Sequence, residues 1–127
     1  MYEVVIEENF CAAHALRGYR GNCENLHGHN WKVEVAVRGE TLDELGMLID
    51  FRRVKEATRE VMSYLDHKNL NVIPPFDSNL NPTSEQIARF ILEKISGHIG
   101  TSELVVSKVR VWETPTACAS YEVPAGK

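Results

Sequence analysis

The stretch that most constrains this chain runs from His27 to Arg38. From Asn30 onward the residues alternate: Trp31, Val33, Val35 and Val37 fall on one face, and Lys32, Glu34, Ala36 and Arg38 on the other. A period of two marks a strand with one buried face. Extended backwards, the buried face also carries His27 and His29, and Gly28 between them leaves room for a close approach. Two imidazoles therefore point inward, where an unpartnered polar group costs free energy. One inward histidine is usually a hydrogen-bonded core residue, and H-x-H alone is a weak signal. A metal ion is the alternative partner, with His14, at the end of an earlier apolar run over residues 4–13, as a third ligand. Three histidines with an open fourth position are the arrangement of a catalytic zinc site rather than a closed structural one.

The remaining elements follow from periodicity and punctuation. Residues 2–13 read as a strand, and residues 17–24 as a polar loop containing Gly18 and Gly21 and ending at Cys23 and Glu24. Asp50 is placed to cap a helix whose stripe is Val54, Ala57, Val61, Met62 and Leu65, ending near Asp66-His67. Residues 71–82 are irregular, with Pro74 and Pro75 among them. Thr83 or Ser84 caps a second helix, and Thr83 with Gln86 fits a capping box. Its stripe is Ile87, Ala88, Ile91, Leu92 and Ile95, and Gly97 and Gly100 close it. Residues 105–113 and 117–123 read as two more strands, with Val105, Val109, Val111 and Glu113 on one face. The 127 residues suggest one α+β domain, spanning 1–127: a four-stranded antiparallel sheet covered on one face by two helices. Two open sheet edges would invite association, and joining subunits edge to edge into a barrel would remove them.

Composition narrows the function. A net charge of -4 argues against a general nucleic-acid binder. No apolar run reaches the roughly 18 residues of a membrane span, and no export signal is read. Cys11, Cys23 and Cys118 lack framework spacing, which predicts a reducing, cytoplasmic setting.

Three further features carry chemistry. Asp66 can orient His67 at the end of the first helix, and with Cys23 close by the set would form a thiol activated by a base. The alternative is two solvated polar residues. Glu113 ends an apolar row and could accept two parallel N–H bonds from a flat heterocycle, unless it is merely a solvated strand end. Glu24 could face the metal or lie on the loop surface.

The motifs Phe10-Cys11-Ala12-Ala13-His14, C-x-x-x-H-G-H from Cys23 to His29 and Leu48-Ile49-Asp50-Phe51 stand in order. Leu65-Asp66-His67-x-x-Leu70-Asn71, Asn81-Pro82-Thr83-Ser84-Glu85 and Val109-x-Val111-Trp112-Glu113-Thr114 follow. Together they closely resemble the 6-pyruvoyltetrahydropterin synthase and 6-carboxytetrahydropterin synthase family. The short C-x-x-x-H-G-H spacing resembles the bacterial carboxy-forming enzymes of the queuosine pathway. The resemblance implies a tunnelling fold (T-fold), with subunits joined into trimeric barrels that stack as a homohexamer. It implies zinc held by His14, His27 and His29, and a catalytic triad of Cys23, Asp66 and His67, the last two supplied by a neighbouring subunit. It implies a pterin ring anchored by Glu113 with help from Thr83 and Ser84. The implied substrate is 7,8-dihydroneopterin triphosphate and the implied product 6-carboxy-5,6,7,8-tetrahydropterin, with acetaldehyde and triphosphate released. Arg17 and Arg20 are candidates for holding the triphosphate. One branch of the family carries E-x-x-H-G-H and resembles dihydroneopterin aldolases that feed folate synthesis with a 6-hydroxymethyl pterin. Glu24 completes that motif here as well, so both chemistries remain open at this point.

Overall fold

The structure, a computed structural model, describes residues 1–21 and 24–124. Strands β1 (Tyr2–His14) and β2 (His27–Gly39) pair antiparallel along their whole length, with Phe10 opposite Trp31, Ala12 opposite His29 and His14 opposite His27. Helix α1 (Phe51–Leu65) follows, then a two-residue strand β3 (Lys68–Asn69) and helix α2 (Ser84–Ile99). Strands β4 (Val105–Thr114) and β5 (Ala117–Glu122) complete a sheet of order β3-β1-β2-β4-β5.

The sheet has five strands rather than four, and is mixed, because β3 runs parallel to β1 at Ala12 and Ala13. The cause lies at the end of α1. Asp66 accepts the Cys11 N–H at 2.8 Å and His67 N–H donates to the Cys11 carbonyl at 2.6 Å, so the chain leaving α1 is laid along the β1 edge. His67 takes a left-handed φ of 59° to make that turn.

Both helices cover one face. Asp50 caps α1 by accepting the Arg52 N–H, and Thr83 caps α2 by accepting the Gln86 N–H. The expected stripes of both helices are buried against Phe10, Trp31, Val33, Val35, Val37, Val109 and Val111. Burial of these aliphatic and aromatic side chains supplies the main driving force for the fold. Strand β4 departs from the expected face at one point. A register shift opposite Ala36 and Val37 leaves Ser107 as an extra residue, so Val106 rather than Val105 turns inward with Val109 and Val111. A bulge of this kind resets the alternation that a period-two reading assumes.

The uncovered face is charged. Lys32 pairs with Glu7 at 3.7 Å, Arg38 with Glu3 at 3.9 Å and Arg110 with Glu34 at 3.8 Å, while Trp112 Nε1 donates to Glu34 at 2.8 Å. None of the helices among the described residues is long and apolar enough to cross a membrane.

Candidate metal centre and the Asp66–His67 pair

The inward face of the β1–β2 ladder ends in histidine. His14 is 2% exposed, and its ring lies 4.7 Å from that of His27 and 5.3 Å from that of His29, centroid to centroid. Trp31 lies against both His14 and His29, with ring centroids 4.9 and 5.2 Å away, and keeps water from that side. Trp31 is itself fixed by stacking on Phe10 and by donating Nε1–H to the Ala12 carbonyl at 3.1 Å.

Backbone carbonyls set the tautomers. His14 Nδ1 is 2.7 Å from the Pro82 carbonyl and His27 Nδ1 is 2.8 Å from the Asn25 carbonyl. A carbonyl can only accept, so each ring carries its proton on Nδ1 and presents Nε2 as a lone pair. His14 Nε2 and His29 Nε2 are buried and make no hydrogen bond. Burial pushes the His29 pKa below its ordinary value of 6.5, favouring the neutral form that can ligate. Glu113 enters from β4, its Oε1 standing 3.0 Å from His14 Nε2 and 3.2 Å from His29 Nε2. Ligand atoms of His14, His27, His29 and Glu113 lie within 4.8 Å of one another, a group able to hold a metal ion. The buried His14 lone pair turned toward a carboxylate is what a cation would satisfy, so this donor set fits one. The carboxylate expected at a ring pocket is thus drawn into the histidine cluster.

Asp66 and His67 form a pair of their own. His67 Nδ1 lies 2.9 Å from Asp66 Oδ2, and the His67 side chain is 79% exposed. The Cys11 N–H bonded to Asp66 holds its carboxyl below the usual carboxylate range, helped by His67. A groove beside the end of β1 is lined by Cys11, Asn30, His67 and Lys68 and reaches His29 of the histidine cluster. Among the described residues no hydrogen bond or ion pair joins His67 to the three histidines. Cys23, the expected nucleophile, lies outside the described residues.

Glu24 has a structural job. Its N–H donates to the Leu16 carbonyl at 3.0 Å and its Oε1 accepts the Leu16 N–H at 3.0 Å. Asn71 does the same for Ala15 with its side-chain amide, at 2.8 and 2.7 Å, and Asn81 for Arg17, at 2.8 and 2.9 Å. Three consecutive residues after His14 are thus clasped by side chains or loop backbone in place of strand partners. The two asparagines stand in the motif segments but carry no period or charge that reveals this duty. The Arg17 guanidinium donates to the Phe76 and Leu80 carbonyls, which engages it in the loop rather than in an anion site. The Thr83 hydroxyl caps α2 by accepting the Gln86 N–H at 3.1 Å, which leaves its own O–H to donate, and Ser84, half-buried, begins that helix.

Fold and site together define an α+β domain with a histidine cluster suited to a metal, opening at the end of a long hairpin. The sequence profile described as 6-pyruvoyl tetrahydropterin synthase matches residues 3–124. A 6-carboxy-5,6,7,8-tetrahydropterin synthase of Haemophilus influenzae is 31% identical over 144 residues, covering 96% of this chain and 99% of that protein. A dihydroneopterin monophosphate aldolase of Pyrococcus furiosus is 34% identical over 110 residues, covering 87% of this chain and 88% of that protein. The solved 6-pyruvoyl tetrahydropterin synthase of Caenorhabditis elegans superposes with a TM-score of 0.80 at 30% identity, over 98% of both chains. The chain belongs to the 6-pyruvoyl tetrahydropterin synthase family and has its T-fold; the family is one of enzymes.

Proposed function

We propose that this chain is a zinc-dependent 6-carboxytetrahydropterin synthase. It would convert 7,8-dihydroneopterin triphosphate to 6-carboxy-5,6,7,8-tetrahydropterin with loss of acetaldehyde and triphosphate. The observation that carries the reading is the buried pair of Nε2 atoms on His14 and His29 that make no hydrogen bond, beside His27, with the His14 and His27 Nε2 atoms held as lone pairs by carbonyls at Nδ1. Three imidazoles suit zinc better than magnesium or calcium. His14, His27 and His29 would hold the metal, which when bound polarises substrate oxygens and eases loss of their protons. Asp66 orients His67 through the 2.9 Å contact, leaving Nε2 to exchange a proton with Cys23 or the substrate side chain. Glu113 would take the pterin ring through paired N–H bonds, with Thr83 and Ser84 on the adjoining segment.

Assembly belongs to the same proposal. The His67 side chain is largely exposed, and β1 before Ala12 and the whole of β5 have no outer strand partner among the described residues. A homohexamer of two trimeric barrels would cover those edges and bring His67 of one subunit to the metal of another. A reducing cytoplasm would keep Cys23 a thiol.

A second reading rests on the Pyrococcus furiosus relative: Glu24 acts as base in an aldolase-like cleavage to a 6-hydroxymethyl pterin. The Leu16 N–H held by Glu24 Oε1 leaves one oxygen for such a role and favours Cys23. Mass spectrometry of products from dihydroneopterin triphosphate tests this. Cys23→Ala should abolish the carboxy product, and Glu24→Ala should retain it. Carboxy product at the wild-type rate from Cys23→Ala would transfer the role to Glu24.

A further inference from the structure

Glu113 Oε1 stands 3.0 Å from His14 Nε2 and 3.2 Å from His29 Nε2, and neither nitrogen makes a hydrogen bond. The Pro82 carbonyl claims the His14 proton at Nδ1, so His14 offers Glu113 a lone pair. A lone pair and a carboxylate oxygen at that distance repel unless positive charge lies between them. Two ligands bound to zinc at about 2.0–2.1 Å with tetrahedral angles stand roughly 3.3 Å apart. The observed spacings are close to that edge, and they relate one oxygen to two nitrogens on different strands.

We infer that Glu113 is the fourth ligand of the metal centre in the substrate-free enzyme and leaves that position to take the pterin ring. The second half rests on the ring-binding role proposed above. Pairing with two parallel N–H donors needs both carboxylate oxygens. A carboxylate giving Oε1 to the metal has only one to offer, so the two roles exclude each other in time. Glu113 can make the exchange and His14 cannot. The Glu113 side chain is 34% exposed near the end of β4, whereas that of His14 is 3% exposed and tied to Pro82. The free enzyme therefore holds its metal closed, and arrival of the ring opens the fourth position. Molecules with a suitable polyol but no pterin edge do not gain that position.

The test uses the protein reloaded with cobalt(II), whose visible bands report its ligand set. Glu113→Gln should shift those bands and weaken cobalt at least about 10-fold against a competing chelator. Adding 6-methylpterin, which has the ring but no side-chain hydroxyls, to the wild-type cobalt protein should move its bands toward those of the variant. Identical cobalt spectra for wild type and Glu113→Gln overturn the inference. So does 6-methylpterin that quenches protein fluorescence, and hence binds, while the wild-type cobalt bands stay fixed. That titration needs no variant, so a poorly folded Glu113→Gln protein leaves it decisive. If 6-methylpterin binds wild type and Glu113→Gln equally while their cobalt spectra differ, Glu113 is a ligand only, and the ring-binding role is what fails.

Discussion

The histidine cluster and the Asp66–His67 pair are built on opposite principles. In the cluster, His14 is 2% exposed, two rings have their tautomers set by carbonyls, and all four candidate ligands come from one chain. In the pair, the 2.9 Å contact is formed and Asp66 is anchored on Cys11, yet the His67 side chain is 79% exposed. The candidate ligands of the first all lie within one chain, whereas the His67 ring of the second projects largely into solvent. On the proposed reading, metal holding belongs to the folded subunit and proton transfer to what docks against it.

The largest expected effect separates the two regions directly. His14→Ala removes a proposed buried ligand and leaves the Pro82 carbonyl without its donor, so stoichiometric metal and activity should both be lost. His67→Ala should keep a full equivalent of metal while turnover falls by roughly 10²–10⁴-fold, the usual range for a general acid–base group. Metal analysis beside product formation reads both. Loss of metal from His67→Ala would show that the His67 pair and the histidine cluster act as one unit.

A smaller but more pointed effect comes from mixing. Cys23→Ala and His67→Ala proteins, each strongly impaired alone, should regain part of the wild-type turnover after subunit exchange if a site draws on two chains. A mixture that stays silent although mass spectrometry shows mixed oligomers would place the whole triad in one chain.

The parts legible in the sequence are those with a period. The β2 alternation put His27, His29 and Trp31 on one face, and the stripes of α1 and α2 are buried as read. What escaped has no period. A two-residue strand such as β3 is too short to show one, and it depends on the His67 turn and on bonds to Cys11, far away in sequence. The Ser107 bulge shifts the inward face of β4 from Val105 to Val106, and only the pairing with β2 reveals it. The position of Glu113 within the histidine cluster depends on that same register, because Trp112 pairs with Lys32 and so brings the end of β4 toward His29. The clasps of Asn71 and Asn81 on Ala15 and Arg17 are matters of backbone geometry, which composition does not encode.

Acid should separate the two regions with the smallest effect. Metal binding by imidazole competes with protons, so lowering the pH releases the metal. Burial holds the His29 pKa below 6.5, which moves that loss to lower pH without preventing it. The Asp66 carboxyl obeys the opposite sign. Its pKa is depressed in the folded protein, chiefly by the Cys11 N–H bond, so the stability it adds is present above the unfolded value of about 3.9. That contribution is lost only as pH falls through the lower folded value. Asp66 is exposed, so the effect is small and screened. The two regions should therefore come apart in order, metal first and the Asp66 anchor later. Hydrogen exchange at the Cys11 amide should stay protected after metal analysis shows release, and lose protection only at more acidic pH. In Asp66→Asn the metal-release curve should be unchanged and the Cys11 protection weaker at every pH. Simultaneous loss of metal and of Cys11 protection in the wild-type protein would show that the two regions are one cooperative unit.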